Sequence, residues 1–297
     1  MGNRWSRKAD HVELNFEKLL TEQRLEKERK ETKMKGLITN ELQLNAENAV
    51  NRPDETGKWL KFVVISDTHC QMDQLMEKIP DGDVLVHCGD FTNSGGEEAV
   101  REFNEQLEKL PHRYKIVVPG NHDTDFDTRE KYRSSASSTQ TVRLLTEPTI
   151  LLDSSINIEG IKIYGSPWVP LCGDATFYVP AGEEMQEKWA KIPEDLDILI
   201  THGPPLGYLD RSERGEHCGD ADLLDAVQLK NPKYHLFGHI HERYGAMTNG
   251  KTTFRNAAQC TLWGKICRLP IVFYMKVPDG NDGSTWKSYT KFEEIDK

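Results

Sequence analysis

The 297-residue chain is long enough for one large domain or two small ones, with room for a sizeable core. It is 37% hydrophobic and 29% charged, with no apolar run near the roughly 20 residues that cross a bilayer, so it reads as soluble rather than membrane-spanning. A net charge of −10 argues against a grip on long nucleic acid, which takes concentrated Lys and Arg. Small phosphate-bearing ligands stay open, because bound cations would invert the field at an acidic site.

Residues 1–57 read as a polar, partly helical extension, and residues 58–297 as the main domain. The opening Met1-Gly2-Asn3-Arg4-Trp5-Ser6 matches the N-myristoylation pattern, with Arg4, Arg7 and Lys8 adding positive charge. One acyl chain binds membranes weakly, and no cysteine precedes Cys70 to carry a second. The pattern therefore predicts reversible association with the cytoplasmic face of a membrane through myristoylated Gly2, a coincidental match being the competing reading. Charge rather than an apolar stretch follows, which predicts no secretory signal, a cytoplasmic location and reduced cysteines. None of the six cysteines forms a Cys-x-x-Cys pair. Val12, Phe16, Leu19 and Leu20 have helical spacing, predicting a helix over about 10–33 whose short apolar stripe suits a solvated face.

From Trp59 onward, apolar runs alternate with amphipathic stretches. Phe62-Val63-Val64-Ile65, Val84-Leu85-Val86, Ile116-Val117-Val118, Ile198-Leu199-Ile200 and Leu236-Phe237 are continuous enough for strands covered on both faces. Residues 72–79, 97–110, 183–191 and 220–229 read as helices, 150–164 and 244–275 mainly as further strands, and 125–141 as a loop or weak helix. The alternation predicts an α/β architecture.

Five of these runs lead into residues able to ligate metal: Asp67-Thr68-His69, Gly89-Asp90, Gly120-Asn121-His122-Asp123, Thr201-His202-Gly203 and Gly238-His239-Ile240-His241. The carboxyl ends of strands in an open α/β sheet form the crevice where ligands bind, so side chains distant in sequence can meet there. The flanking glycines permit tight turns and close backbone approach. Two cations a few ångströms apart repel, which makes a bridging carboxylate valuable, and Asp90 is the candidate bridge. One metal would take Asp67, His69, Asp90 and His241, the other Asp90, Asn121, His202 and His239. Mixed imidazole and oxygen ligands suit Mn, Fe, Zn or Co better than Ca. Water shared by such a pair ionises near neutral pH and becomes a nucleophile.

The five blocks, in this order, resemble the motif series of the calcineurin-like metallophosphoesterase superfamily: D-x-H, G-D, G-N-H-[DE], an isolated His and G-H-x-H. The resemblance covers about residues 59–242 and implies two packed mixed β-sheets flanked by helices, with the ligand set just described. More narrowly, Ile65-Ser66-Asp67-Thr68-His69, Gly89-Asp90-Phe91-Thr92 and Thr201-His202-Gly203-Pro204-Pro205 resemble the small metazoan metallophosphoesterase-domain proteins of the brain-protein-239 type. That resemblance implies phosphodiesterase activity, including on cyclic nucleotides.

His122 follows the ligand Asn121 and is the candidate general acid for the leaving oxygen, with Asp123 expected to orient its ring. A surface or capping histidine is its structural alternative. His11 and His112 read as solvated, His217 as a loop residue, and His87 and His235 as core histidines sooner than partners of the ligands. Cys70 and Cys88 flank ligands, but small buried thiols are the commoner case. The loop Gly89-Asp90-Phe91-Thr92-Asn93-Ser94-Gly95 lacks the arginine that clamps phosphate in the superfamily's protein phosphatases. The best reading is a phosphodiesterase on small substrates, with Trp168, Phe177, Tyr178 and Tyr208 able to stack a base or else fill the core. The alternatives are a metal-binding scaffold with little catalysis, or a phosphomonoesterase or protein phosphatase.

Overall fold

The computed structural model describes residues 24–37, 57–127, 141–170 and 176–280, a few isolated positions, and the backbone of two short strands at 40–42 and 285–287. It divides into two compact units, Met1–Ile38 and Thr39–Lys297. In the first, residues 24–34 are helical, and Arg24 Nε donates to Glu28 Oε1 at 3.1 Å one turn on. Gly2, and most of the helix expected upstream of residue 24, lie outside the described residues.

The second unit holds the sheets. Its strands are β1 (Asn40–Leu42), β2 (Trp59–Ile65), β3 (Val84–His87), β4 (Tyr114–Val117), β5 (Thr149–Ile150), β6 (Ser154–Ile158), β7 (Ile161–Ser166) and β8 (Val169–Pro170). They continue with β9 (Tyr178–Val179), β10 (Ile198–Thr201), β11 (Tyr234–Phe237), β12 (Gly245–Thr248), β13 (Thr253–Asn256), β14 (Ile271–Lys276) and β15 (Thr285–Lys287). A five-stranded sheet runs β14-β2-β3-β4-β5, and an eight-stranded sheet runs β1-β12-β13-β11-β10-β7-β6-β15. Each is mixed: β2 through β5 are parallel with β14 antiparallel, and β7, β10, β11 and β13 are parallel among antiparallel neighbours. β1 comes from the segment read as an extension and pairs with β12 at an edge.

Period-two alternation builds the core. Phe62 and Val64 of β2, Val84 and Val86 of β3 and Ile116 of β4 form one buried cluster with Ile163, Ile198, Ile200 and Leu236 of the larger sheet. Burial of each such side chain contributes about 1.5–3 kcal/mol. The alternate residues of the smaller sheet meet helices and turns: α1 (Glu97–Glu108) buries Val100, Phe103 and Leu107, and Phe103 lies against His87 of β3 with ring centroids 5.2 Å apart. Because strands such as β3, β10 and β11 are buried along their whole length, they read as unbroken apolar runs.

Two further helices, α2 (Glu183–Trp189) and α3 (Ala221–Lys230), fall where the sequence predicts them. Asp220 caps α3 by accepting from Asp222 N–H, and it also accepts from Trp189 Nε1 at 2.6 Å, tying α3 to α2. Residues 72–79 depart from expectation, forming two 3₁₀ turns, Met72–Gln74 and Met76–Lys78, rather than an α-helix. The left-handed residues His69 and Cys70 bound this segment on one side and Pro80, which disfavours helical backbone in the residue before it, on the other. His112 also departs: at 4% exposure it is buried, not solvated, and burial lowers its pKa.

Candidate metal centre

The carboxyl ends of β2, β3, β4, β10 and β11 present the predicted blocks. Asp67, His69, Asp90 and His239 all take left-handed backbone, with φ of 53°, 44°, 57° and 67°. Such geometry is costly for residues with a Cβ and persists only where surrounding bonds enforce it. A short ladder does so here: Asp67 N–H donates to Gly89 O at 2.9 Å and His69 N–H to Asp90 O at 3.0 Å. Glycine is required beside them. A Cβ on Gly238 would lie 2.1 Å from Asp67 Oδ2, and one on Gly120 would lie 2.2 Å from Asp90 Oδ1.

Two groups of potential ligand atoms result, Asp67–His69–His241 and Asp90–His202–His239, the atoms of each lying within 4.8 Å of one another. In the first, His241 Nε2 is 3.1 Å from Asp67 Oδ1 and 3.3 Å from His69 Nε2. In the second, His202 Nε2 is 3.2 Å from Asp90 Oδ2 and 3.0 Å from Asn121 Oδ1. Asp90 stands between the groups, its Oδ2 also 3.9 Å from His69 Nε2. All seven predicted ligand positions therefore converge.

The donor set fits a pair of divalent cations. His202 Nδ1–H donates to Cys88 O at 2.9 Å and His241 Nδ1–H to Thr261 O at 3.2 Å, because a carbonyl can only accept. Each ring thus turns its Nε2 toward the carboxylates, the arrangement that orients ligating histidines. The buried carboxylates carry the opposing charge. Burial alone would raise Asp67, but its hydrogen bond with His241 and the combined charges of His241, His202 and His69 outweigh this and hold it well below the usual carboxylate range. Burial likewise opposes ionisation of Asp90, yet His202 brings it down to about 2, while Asp90 pulls His202 up to about 9 against the effect of burial. Burial, reinforced by His202, pushes His239 down to about 4.

His122 is exposed beside the first group, its ring edge-on to His69 with centroids 5.0 Å apart. Its orienting partner is not Asp123. His122 Nδ1–H donates to the Asn93 carbonyl at 2.7 Å. Asp123 is spent on backbone, accepting from Asp90 N–H, Thr92 N–H and Gly120 N–H at 2.9, 2.9 and 2.8 Å, which pins the Gly-Asp and Gly-Asn loops together. Burial, then the charge of Asp90, pushes Asp123 up to about 7.

The aromatics proposed for stacking are core residues. Tyr208 stacks on Phe254 at 3.8 Å, Phe177 packs edge-on to Trp168, Trp168 donates to Asp153, and Tyr178 is buried with them. Among the described residues the exposed aromatic is Trp263, 88% accessible at the tip of a hairpin whose Thr261 carbonyl holds His241. Gln71, two residues beyond His69, clamps the same hairpin by donating to Gly264 O at 2.8 Å. Asn93, Thr261 and Gln71 escaped notice in the sequence because two act through carbonyl oxygens, which every residue carries. Cys88 is buried as expected, and burial raises its thiol pKa, whereas Cys70 is exposed.

The calcineurin-like phosphoesterase family model matches residues 60–243. The chain belongs to that family. It is 43% identical over 245 residues to a UPF0046 protein of Caenorhabditis elegans, covering 80% of this chain and 83% of that one. It is 42% identical over 243 residues to human Metallophosphoesterase domain-containing protein 1, covering 74% and 72%. A more distant likeness, 24% over 192 residues covering 63% and 64%, is to the 3′,5′-cyclic adenosine monophosphate phosphodiesterase CpdA of Haemophilus influenzae. Family and donor set together make this a metal-dependent phosphoester hydrolase with a dinuclear divalent centre. Among the described residues, no helix is long and apolar enough to cross a membrane.

Proposed function

We propose that the chain is a phosphodiesterase for small substrates such as cyclic nucleotides, with Asp67, His69, Asp90, Asn121, His202, His239 and His241 as metal ligands and His122 as general acid. The carrying observation is the convergence of seven side chains from two sheets on two adjoining groups, with Asp90 of the second 3.9 Å from His69 of the first and Asn121 beside His202. When bound, the cations supply Lewis-acid charge toward phosphoryl oxygens and promote ionisation of water near neutral pH. Asp67 and Asp90 bring the anionic charge that holds such cations. His122, fixed through Nδ1 by Asn93, keeps Nε2 to pass a proton to the leaving oxygen.

A phosphodiester rather than a phosphoprotein is favoured by residues 89–95, which carry no arginine to clamp a phosphomonoester. The name of the Haemophilus relative supports a cyclic nucleotide. Trp263, rather than the four buried aromatics, is the surface on which a base would stack. The deciding experiment compares bis-p-nitrophenyl phosphate with p-nitrophenyl phosphate, then cyclic with linear nucleotides, using Mn²⁺-loaded protein and Asp90→Ala as control. Faster turnover of the diester and of cyclic nucleotides is expected. Preference for the monoester, or two bound metals with no turnover, would overturn the reading.

A further inference from the structure

Each sheet carries one buried histidine that the two ligand groups do not use. His87 ends β3 and His235 lies in β11, both fully buried. Each occupies the strand beside one that delivers ligands, since β3 runs parallel to β2 with His87 opposite Ile65, and β11 runs parallel to β10 with His235 opposite Leu199. Each is walled by two phenylalanines. Centroid distances are 6.0 and 5.2 Å from His87 to Phe91 and Phe103, and 5.0 and 5.9 Å from His235 to Phe237 and Phe254. Each also reaches a threonine hydroxyl beside a candidate ligand. His87 Nε2 is 2.9 Å from Oγ1 of Thr68, between Asp67 and His69, and His235 Nε2 is 2.8 Å from Oγ1 of Thr201, next to His202.

The neighbours set the direction of both bonds. Gly89 N–H donates to His87 Nδ1 at 3.2 Å, so the ring proton sits on Nε2 and is donated to Thr68. Thr201 spends its single hydroxyl proton on Gly203 O at 2.6 Å, so it must accept from His235 Nε2–H. Burial holds both rings down at about 3, leaving them neutral donors of one fixed tautomer. The turns they touch need such support. Thr68 lies between two left-handed residues, and Thr201 bonds across His202 to Gly203. A buried hydroxyl that lost its donor would seek another partner, releasing the turn.

We propose that His87 and His235 are paired positioning residues, each locking through a threonine hydroxyl the turn that presents metal ligands from its own sheet, and thereby setting cation affinity. This rests on the assignment of the seven side chains as ligands. The test is stepwise Mn²⁺ binding to the full chain by equilibrium dialysis, with urea unfolding of the metal-free protein alongside. His87→Leu and Thr68→Val should each weaken one Mn²⁺ roughly ten- to hundredfold, and the pair combined no more than either alone. His235→Leu and Thr201→Val should do the same to the other ion, and His87→Leu with His235→Leu should add. Thr68→Ser, which keeps the hydroxyl, should bind as the parent does. Wild-type affinity in folded variants, or full additivity of His87→Leu with Thr68→Val, would overturn the proposal. Should His87→Leu not fold, Thr68→Val decides, since it leaves the ring in place. Failure of the unaltered chain to bind Mn²⁺ at all would instead overturn the ligand assignment beneath it.

Discussion

The two sheets contribute unlike chemistry to one centre. The five-stranded sheet supplies Asp67, Asp90 and Asn121 with a single imidazole, His69, whereas the eight-stranded sheet supplies only imidazoles, His202, His239 and His241. Neither set closes a group alone: Asp67 and His69 need His241 from across the interface, and His202 and His239 need Asp90. The carboxylates are thus concentrated on one side, and most of the imidazoles on the other. The packing of the sheets, more than any single loop, assembles the centre. Both sides use the same local device, a tight turn after a buried strand, backed by a histidine on the neighbouring strand.

Substitutions on opposite sides should break the centre unequally. Asp90→Ala removes the carboxylate that stands between the two groups, so phosphodiester turnover should fall to background and bound Mn²⁺ drop below two per chain, measured by elemental analysis. His122→Ala leaves the ligands intact, so metal content should hold while turnover falls by roughly 10²–10⁴-fold. The loss should be largest for poor leaving groups, and undiminished turnover of an alkyl diester would remove His122 from the chemistry. Trp263→Ala acts at the rim, and stacking worth about 1–3 kcal/mol per base predicts a KM for cyclic nucleotides raised roughly ten- to hundredfold with kcat little changed. A KM unmoved by that substitution would exclude the hairpin as a base platform.

The smallest effect separates the two supporting histidines from the ligands. His87 and His235 have folded values of about 3 against 6.5 for the free side chain, so the unfolded chain takes up protons first as pH falls. Their contribution is fully present above about pH 6.5 and is lost toward pH 3, at up to about 1.4 kcal/mol per pH unit for each group. Unfolding of the metal-free His235→Gln variant should therefore depend less steeply on pH across this window. An unchanged slope would show that His235 is not held neutral by its surroundings.

Much of the centre is legible in the sequence because each candidate ligand is a side chain of distinctive type placed just beyond an apolar run. The strands are legible for the same reason, since burial on both faces leaves runs such as Val84-Leu85-Val86 with no polar interruption. What escapes is set by contacts between distant segments. Trp168 and Tyr208 look like loop residues, yet Asp153 and Phe254 draw them inward. Asp123 sits next to His122 in the chain, but three backbone amides from two loops capture its carboxylate. Residues 72–79 have helical composition, but they form two 3₁₀ turns between the left-handed residues His69 and Cys70 and the following Pro80.

The amino-acid sequence by itself determined the fold class, the kinds of metal donor and their order along the chain, because periodicity and residue type are local properties. Tertiary structure alone decided that Asn93 and Thr261 steer His122 and His241, and that Trp263 is the aromatic left exposed among the described residues. Those outcomes depend on backbone carbonyls and sheet packing, and neither leaves a mark on residue identity.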